Sequence, residues 1–305
     1  MDPSTSTSTK TTLREPLLDD EFLVKIERLS LVSRSTILGK IRGERRSRRR
    51  GFSTEFADYR DYVPGDDLRY LDWNIFGRLE RLFIKLFHEE EDLTVSILVD
   101  VSPSMVQGNP EKLRYALQVA AALGYIALSA EDRVGVFPFA ADIQTPFQPL
   151  RGRNNARRLF RYLQALPTGE ATDLQRSLRT YMHAFAQRGM VILISDLLDP
   201  QGYDEALRSI AGSRFETFLV HLLSPEEIEP PLTGDLRLVD CEDGNVAEVS
   251  INRTLRAAYR RTVAGFKAGI RESCSRKGIV PLFASTQTPF EQLVLGYLRS
   301  RGMVR

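Results

Sequence analysis

Three oxygen-bearing side chains occupy alternate positions in one short stretch of the sequence. Asp100, Ser102 and Ser104 directly follow an apolar, mostly β-branched run that begins at Leu93. Such a run predicts a strand buried on both faces, with the three side chains where it gives way to a loop at the mouth of an open α/β sheet. A carboxylate and two hydroxyls are hard ligands of the kind that Mg²⁺ takes, at about 2.0–2.1 Å. The same residue types are also common in turns, so this pattern alone leaves both interpretations open.

Two later stretches bring a third hydroxyl and a second carboxylate to the same predicted sheet edge. Thr172 lies in the loop GEATDL before a helical stretch, and Asp196 ends a second buried apolar strand that starts at Val191. The five side chains together form a complete ligand set for Mg²⁺ or Mn²⁺, with two carboxylates that roughly neutralise the ion and an open coordination position. Asp173 and Asp199 flank the cluster and could orient its ligands, although helix capping explains Asp173 equally well.

The elements that must position these side chains alternate between strand and helix. We predict strands over residues 93–100, 133–140, 190–195, 215–222 and 279–284, and a short antiparallel edge over 142–147. Helices are predicted over 109–130, 154–166, 172–187, 203–211, 252–277 and 289–300. This alternation indicates an α/β fold, a doubly wound, mostly parallel sheet with helices on both faces, over residues 93–305. Asp243-Gly244 predicts a β-hairpin insertion near residues 236–250.

The N-terminal third of the chain has a different character. Residues 1–16 are expected to form a disordered tail, and residues 17–92 a segment packed on the main domain, which starts with a helix over 17–40. The arginine cluster from Arg42 to Arg50 could hold phosphates or pair with the aspartates that follow it. Arg69 and Trp73 belong to a charged, aromatic stretch that forms either a recognition surface or a lid over the core. Arg153 and Arg157 could receive an acidic partner or simply face solvent.

Both parts of the chain resemble known families. The five candidate ligands match, in order and context, the metal-ion-dependent adhesion site of von Willebrand factor A-type domains. The stretch from Gly51 to Arg78, GFSTEFADYRDYVPGDDLRYLDWNIFGR, resembles the signature of a bacterial and archaeal family known as domain of unknown function fifty-eight. The resemblance implies a von Willebrand factor A-like fold whose bound metal takes a carboxylate from another protein. Genes of that family are typically neighbours of MoxR-type AAA+ ATPases, which implies such an ATPase, its client, or both as partners.

Composition and charge set limits on function and location. The 305 residues include 42 basic and 40 acidic side chains and 42% hydrophobic residues, so no global field attracts nucleic acid or an anionic membrane. The first twelve residues lack the apolar core of a signal peptide, and the longest apolar run, Ala116 to Leu128, is too short to span a bilayer. Many relatives carry transmembrane helices ahead of the signature and this chain does not, so we expect a cytoplasmic protein without membrane contact. Cys241 and Cys274 lack C-x-x-C spacing, which predicts neither a zinc site nor a disulfide.

We therefore expect a metal-dependent protein–protein interaction module, an adaptor or co-chaperone, rather than an enzyme. An Mg²⁺-dependent hydrolase or phosphotransferase is the alternative, since such enzymes also use an open metal site. Against it, Ser102 stands where a haloacid dehalogenase-type phosphatase needs a second aspartate, and no P-loop motif occurs. None of the three histidines, His88, His183 and His221, lies in a predicted metal loop. Nucleic-acid binding through the Arg42 to Arg50 cluster is a second alternative.

Overall fold

The computed structural model describes residues 16–27, 29, 56–87, 93–109, 111–169, 171–212, 215–241 and 244–297. In chain order the strands are β1 (Phe56–Asp61), β2 (Phe83–Phe87), β3 (Thr94–Asp100), β4 (Arg133–Phe139), β5 (Phe147–Arg151), β6 (Gly189–Ser195), β7 (Phe215–Leu223), β8 (Gly234–Val239), β9 (Val246–Ile251) and β10 (Val280–Ser285). The helices are α1 (Asp20–Ile26), α2 (Trp73–Leu79), α3 (Lys112–Ser129), α4 (Ala156–Gln164), α5 (Leu174–Ala184), α6 (Asp204–Ile210), α7 (Pro225–Ile228), α8 (Arg253–Lys277) and α9 (Phe290–Gln292). Short 3₁₀ turns cover Leu68–Tyr70, Pro103–Val106 and Arg153–Asn155, and a π-helical turn covers Leu293–Tyr297.

These elements fall into two compact units. The smaller contains β1, β2 and α2, and the larger contains α1 and every element from β3 onward. Helix α1, which the sequence analysis grouped with the signature segment, therefore clusters with the sheet-containing unit. The N-terminal tail, the arginine cluster from Arg42 to Arg50, His88 and most of the helix expected after Ile26 lie outside the described residues.

Among the described residues, six strands of the larger unit form one sheet in the order β10-β7-β6-β3-β4-β5. Neighbouring strands are parallel except for β4 and β5, which pair antiparallel at one edge. The predicted α/β class with a mostly parallel central sheet is confirmed. The antiparallel edge strand is also present, but it covers Phe147–Arg151. The stretch before it makes an isolated antiparallel bridge between Ile143 and Phe139, and Pro146, which has no N–H to donate, separates that bridge from the strand.

The sheet is covered on both faces, as the alternation of side chains along its inner strands shows. On β6, Ile192 and Ile194 belong to the hydrophobic cluster that also contains α1, α3 and α4. Val191 and Leu193 point the other way, into the cluster that contains α5, α6 and the second half of α8. Burial of both faces explains why β3 and β6 read as continuous apolar runs rather than as alternating ones.

Two helix boundaries illustrate how well local signals work in this chain. Helix α8 begins and ends as predicted, since the Asn252 side chain accepts from the N–H of Leu255 (2.9 Å) and Gly278 stops the helix with φ +69°. Helix α3 begins at Lys112, later than Asn109 and Pro110 suggested, with Glu111 in the cap position and no side-chain cap. The hairpin that the sequence predicts near residues 236–250, directly before α8, is formed by β8 and β9.

The smaller unit is an antiparallel pair, β1 and β2, connected through α2. Asp72 organises it, because its carboxylate accepts from the N–H of Asn74 (2.9 Å) at the start of α2 and also pairs with Lys85 (3.1 Å). Arg69 pairs with a neighbouring aspartate two residues earlier. Trp73, the first residue of α2, is 65% exposed. Of the two residues proposed as a partner surface here, Trp73 is thus open to solvent and Arg69 is engaged locally.

Candidate metal site

Sheet topology brings the two candidate aspartates together. Asp100 ends β3 and Asp196 follows β6, and these strands are neighbours in the sheet. The chain leaves β3 toward β4 on one side and leaves β6 toward β7 on the other. In open α/β sheets this reversal opens a crevice at the carboxyl ends of the two strands, where ligands bind. The site predicted from sequence therefore lies at the switch point of the sheet.

Asp100 is fully buried, and Ser102 and Ser195 donate hydrogen bonds to its carboxylate. One carboxylate oxygen accepts from the N–H of Ser102 (3.0 Å), and the other accepts from the hydroxyl of Ser195 (2.6 Å). The hydroxyls of Ser102 and Ser104 are 3.0 Å apart. Burial, and then the charge of Asp196, raises the pKa of Asp100 above its ordinary value, against the effect of these hydrogen bonds. The structure thus places one carboxylate and two candidate hydroxyl ligands in one buried cluster.

Asp196 is buried beside this cluster but has a different partner. Its Oδ1 accepts from the N–H of Leu198 (3.1 Å), and its Oδ2 accepts from the ammonium of Lys112 (2.6 Å). The next residue, Leu197, has φ +57°, a conformation that costs a non-glycine residue on the order of 1 kcal/mol. Its N–H is held by the hydroxyl of Ser195 (2.9 Å). Backbone strain of this kind clusters at functional positions, and here it directly follows a candidate ligand.

The loop that carries Thr172 is fastened to the sheet on both sides of that residue. The N–H of Gly169 donates to the carbonyl oxygen of Val101 (2.7 Å), and that of Asp173 donates to Ala140 (3.0 Å). A Cβ at Gly169 would lie 2.2 Å from the Cβ of Ala140, so only glycine permits this approach. Thr172 is half-buried between the two anchors. The third hydroxyl is therefore carried by a loop bonded to the loop that follows Asp100.

The two flanking aspartates have structural roles of their own. Asp173 caps α5, accepting from the N–H of Arg176 (2.8 Å), which is the capping role considered from the sequence. Asp199 accepts from the N–H of Leu174 (2.7 Å) and from that of Gln201 (2.7 Å). It thereby ties the loop after β6 to the start of α5. The three loops that supply candidate ligands are joined by backbone and carboxylate hydrogen bonds.

Lys112 is a residue of the site that the sequence analysis missed. It is fully buried as the first residue of α3, and its ammonium donates to Asp196 and to the carboxylate of Glu227 on α7. Burial alone would lower the pKa of Lys112, but the two carboxylates outweigh it and the pKa is raised. Glu227 also accepts from the N–H of Ser224 (2.8 Å) in a capping box at the start of α7. A lysine at a helix start predicts a solvated side chain, so no local signal identified it.

His221 is the second residue near the site that the sequence did not reveal. On β7 it lies opposite Ser195 of β6. Its ring is fully buried, and the ring centroids of Phe266 and Phe283 lie 5.8 and 5.4 Å from its own. Burial lowers the pKa of His221 to about 4 in spite of the negative charge of Asp196. The imidazole is therefore neutral at pH 7 and enclosed by aromatic rings. It lies on a strand rather than in a metal loop.

The charge and chemistry of the donor groups fit a divalent cation. With Asp100, Asp196 and Glu227 ionised, Lys112 offsets only one of three negative charges. Within the part of the chain that the structure describes, no group of three or more histidine, cysteine or carboxylate side chains converges as a metal centre. A cation here would therefore depend on hydroxyl and water ligands in addition to two carboxylates, a combination that suits Mg²⁺ or Mn²⁺ better than zinc.

The arginines proposed as a partner surface on the larger unit are exposed. Arg153 pairs with Glu27 and lies over the ring of Tyr125 (5.9 Å). Arg157 is exposed on α4 and has no ion-pair partner among the residues described. Of the two, Arg157 is the one available to another molecule.

Fold and site together define a mostly parallel α/β protein with a buried cluster of carboxylates, hydroxyls and one lysine at the carboxyl edge of its sheet. A family model described as "Protein of unknown function DUF58" matches residues 58–268, and the chain belongs to that family. An uncharacterised protein of Mycobacterium tuberculosis is 27% identical over 294 residues, which cover 95% of this chain and 92% of the relative.

Solved structures also resemble this chain. The conserved hypothetical protein BatB from Bacteroides thetaiotaomicron is 18% identical, with a TM-score of 0.45 over 69% of this chain and 98% of that one. An aerotolerance-related membrane protein from Bacteroides fragilis is 15% identical, with a TM-score of 0.44 over 68% of this chain and 99% of that one. In this protein, no helix of the described ranges is both long and apolar enough to cross a bilayer.

Proposed function

We propose that this protein is a metal-dependent protein-interaction module of the von Willebrand factor A type that acts as an adaptor or co-chaperone. Asp100, Ser102, Ser104, Thr172 and Asp196 would hold Mg²⁺ or Mn²⁺, and a carboxylate of a partner protein would complete the coordination. The observation that carries the proposal is the pair of buried aspartates at the ends of adjacent strands, one of which, Asp100, has no cationic partner among the described residues.

The energetic reason lies in the cost of burying charge. An ionised carboxylate taken out of water is costly unless a cation compensates it. Lys112 compensates Asp196, whereas the partners of Asp100 within the described ranges are the uncharged donors of Ser102 and Ser195. A buried carboxyl group with a raised pKa, at the switch point of a sheet, is typical of a functional site. A divalent ion would supply the missing positive charge and a Lewis-acidic position for a partner carboxylate.

The partner that we propose is a MoxR-type AAA+ ATPase, its client, or both. This part of the proposal rests on the family resemblance of the sequence, whereas the kind of group recognised rests on the donor set. An aspartate or glutamate side chain of the partner is the ligand that suits a hard, partly neutralised cation.

A pull-down with a purified MoxR-type AAA+ ATPase from the same organism tests the proposal. Wild type, Asp100→Asn and the exposed control Glu205→Gln would be compared in Mg²⁺ and in EDTA, after circular dichroism has verified folding. We expect retention only with Mg²⁺, and only for wild type and the control. Equal retention of the ATPase by all samples, or retention by none, would contradict the proposed partner and mechanism.

The same three proteins also address the enzymatic alternative. With generic phosphoesters and Mg²⁺, we expect wild type to hydrolyse no faster than Asp100→Asn. Metal-dependent hydrolysis that Asp100→Asn abolishes would replace the interaction module by a hydrolase, since an open Mg²⁺ site serves both.

A further inference from the structure

A lysine lies inside the cluster that we propose to hold a metal ion. Lys112 is fully buried, and its ammonium donates to Oδ2 of Asp196 (2.6 Å), while the other oxygen of Asp196 is taken by the N–H of Leu198. The positive charge of Lys112 therefore already occupies part of the coordination capacity of a proposed ligand. A second cation at Asp196 would meet electrostatic repulsion in a site shielded from water.

The same ammonium has a second carboxylate outside the proposed ligand set. Lys112 also pairs with Glu227, whose side chain is 24% exposed and lies on α7. The helix is fixed by its capping box and by the hydroxyl of Tyr259, which donates to the carbonyl oxygen of Glu227 (2.6 Å). Glu227 can thus retain Lys112 when Asp196 is shared with another cation, and it prevents the ammonium from being left buried without a counterion.

We propose that Lys112 is a built-in competitor of the metal ion for Asp196, and that Glu227 sets the metal affinity by retaining Lys112 when a metal ion takes Asp196. This inference rests on the proposed function, because it presupposes a cation at the five candidate ligands. It assigns opposite effects to the two charges. Loss of Lys112 strengthens metal binding, and loss of the Glu227 charge weakens it by leaving Lys112 with Asp196 alone.

Isothermal titration calorimetry with Mg²⁺ as the probe tests the inference without any partner or activity. We expect Lys112→Met to raise the affinity for Mg²⁺ by about tenfold or more, and Glu227→Gln to lower it by about tenfold. Glu226→Gln is the matched control, since Glu226 lies on the same helix and bonds the N–H of Asn109 (3.4 Å) rather than Lys112. It should change the affinity by less than about threefold.

A double variant separates competition from the general field of the carboxylate. In the Lys112→Met background, Glu227→Gln should lose most of its effect, because the lysine through which it acts is gone. Glu227 is partly exposed, so Glu227→Gln should fold even if Lys112→Met does not. In that case, the difference in Mg²⁺ affinity between Glu227→Gln and Glu226→Gln is sufficient to test the inference.

The outcomes distinguish this inference from the proposed function. If wild type binds Mg²⁺ and Asp100→Asn does not, but Lys112→Met and Glu227→Gln leave the affinity unchanged, the competition is refuted and the metal site stands. If only Lys112→Met binds Mg²⁺, the competition is upheld and metal dependence of the natural protein is refuted. Absence of Mg²⁺ binding in every variant overturns both.

Discussion

The charge balance of the site predicts opposite stability effects for its two aspartates in the absence of metal. Asp100 has no cationic partner in the described part of the chain, whereas Asp196 bonds the ammonium of Lys112. We expect Asp100→Asn to raise the free energy of unfolding in EDTA, because it removes an uncompensated buried charge. Asp196→Asn should lower it, because it takes one of two counterions from a buried lysine.

The size of the expected gain in unfolding free energy for Asp100→Asn follows from the pKa of Asp100. Burial, and then the charge of Asp196, raises the pKa of Asp100 to about 7 from an ordinary value of 3.8. At about 1.4 kcal/mol per pKa unit, the ionised group costs the fold at most about 4 kcal/mol at neutral pH. Because the folded-state pKa lies above the unfolded one, this cost is absent at low pH and grows as the pH rises toward 7. Asp100→Asn removes this cost but also weakens the hydrogen bonds of the side chain. The net expected gain in unfolding free energy is about 1–2 kcal/mol.

For Asp196→Asn the expected loss is about 2–4 kcal/mol, less than for a fully broken buried pair because Glu227 still holds Lys112. Urea unfolding near neutral pH in EDTA measures both differences. Saturating Mg²⁺ should then stabilise wild type through mass action and leave Asp100→Asn unchanged. If Asp100→Asn is instead less stable than wild type in EDTA, the carboxylate is a structural group and the reasoning fails.

Three further predictions concern other parts of the larger unit. Gly169→Ala should cost about 1–3 kcal/mol in unfolding free energy and weaken Mg²⁺ binding, because the added Cβ would lie 2.2 Å from a neighbouring Cβ; unchanged calorimetric melting and titration would contradict this. Asp204→Asn should cost about 0.5–1 kcal/mol at neutral pH, since a hydrogen bond from Lys277 is the main cause that lowers the pKa of this partly exposed group to about 2. With a folded-state pKa below the unfolded one, that difference in urea unfolding should narrow, not widen, as the pH falls through about 4 toward 2. Mass spectrometry should find exposed Cys241 modified by a thiol reagent in the native protein and buried Cys274, whose pKa burial raises to about 11, modified only after unfolding.

Much of the fold could be predicted because its signals are local. The apolar runs before Asp100 and Asp196 indicate strands buried on both faces, and β3 and β6 lie where those runs are. Since the carboxyl ends of parallel strands share one sheet edge, the two aspartates were expected to meet there. Side-chain capping by Asn252 and the glycine after Lys277 likewise fixed the ends of α8.

The electrostatic partners within the site could not be predicted, because they are distant in sequence. Lys112 lies 84 residues from Asp196 and 115 residues from Glu227. A single lysine at a helix start has no pattern that distinguishes a buried ion pair from a solvated side chain. His221 was equally hidden, since a histidine inside an apolar strand indicates burial but not proximity to an aspartate that directly follows the neighbouring strand.

The most direct test of the central claim is the binding of Mn²⁺, followed by electron paramagnetic resonance, to wild type, Asp100→Asn and Ser104→Ala. Bound Mn²⁺ loses the sharp signal of the free ion, so the titration counts occupied sites. We predict one site per chain in wild type, loss of that site in Asp100→Asn, and weaker binding in Ser104→Ala. Wild type that leaves all Mn²⁺ free up to about 1 mM, or variants that bind as wild type does, would contradict the assignment of these residues to a metal site.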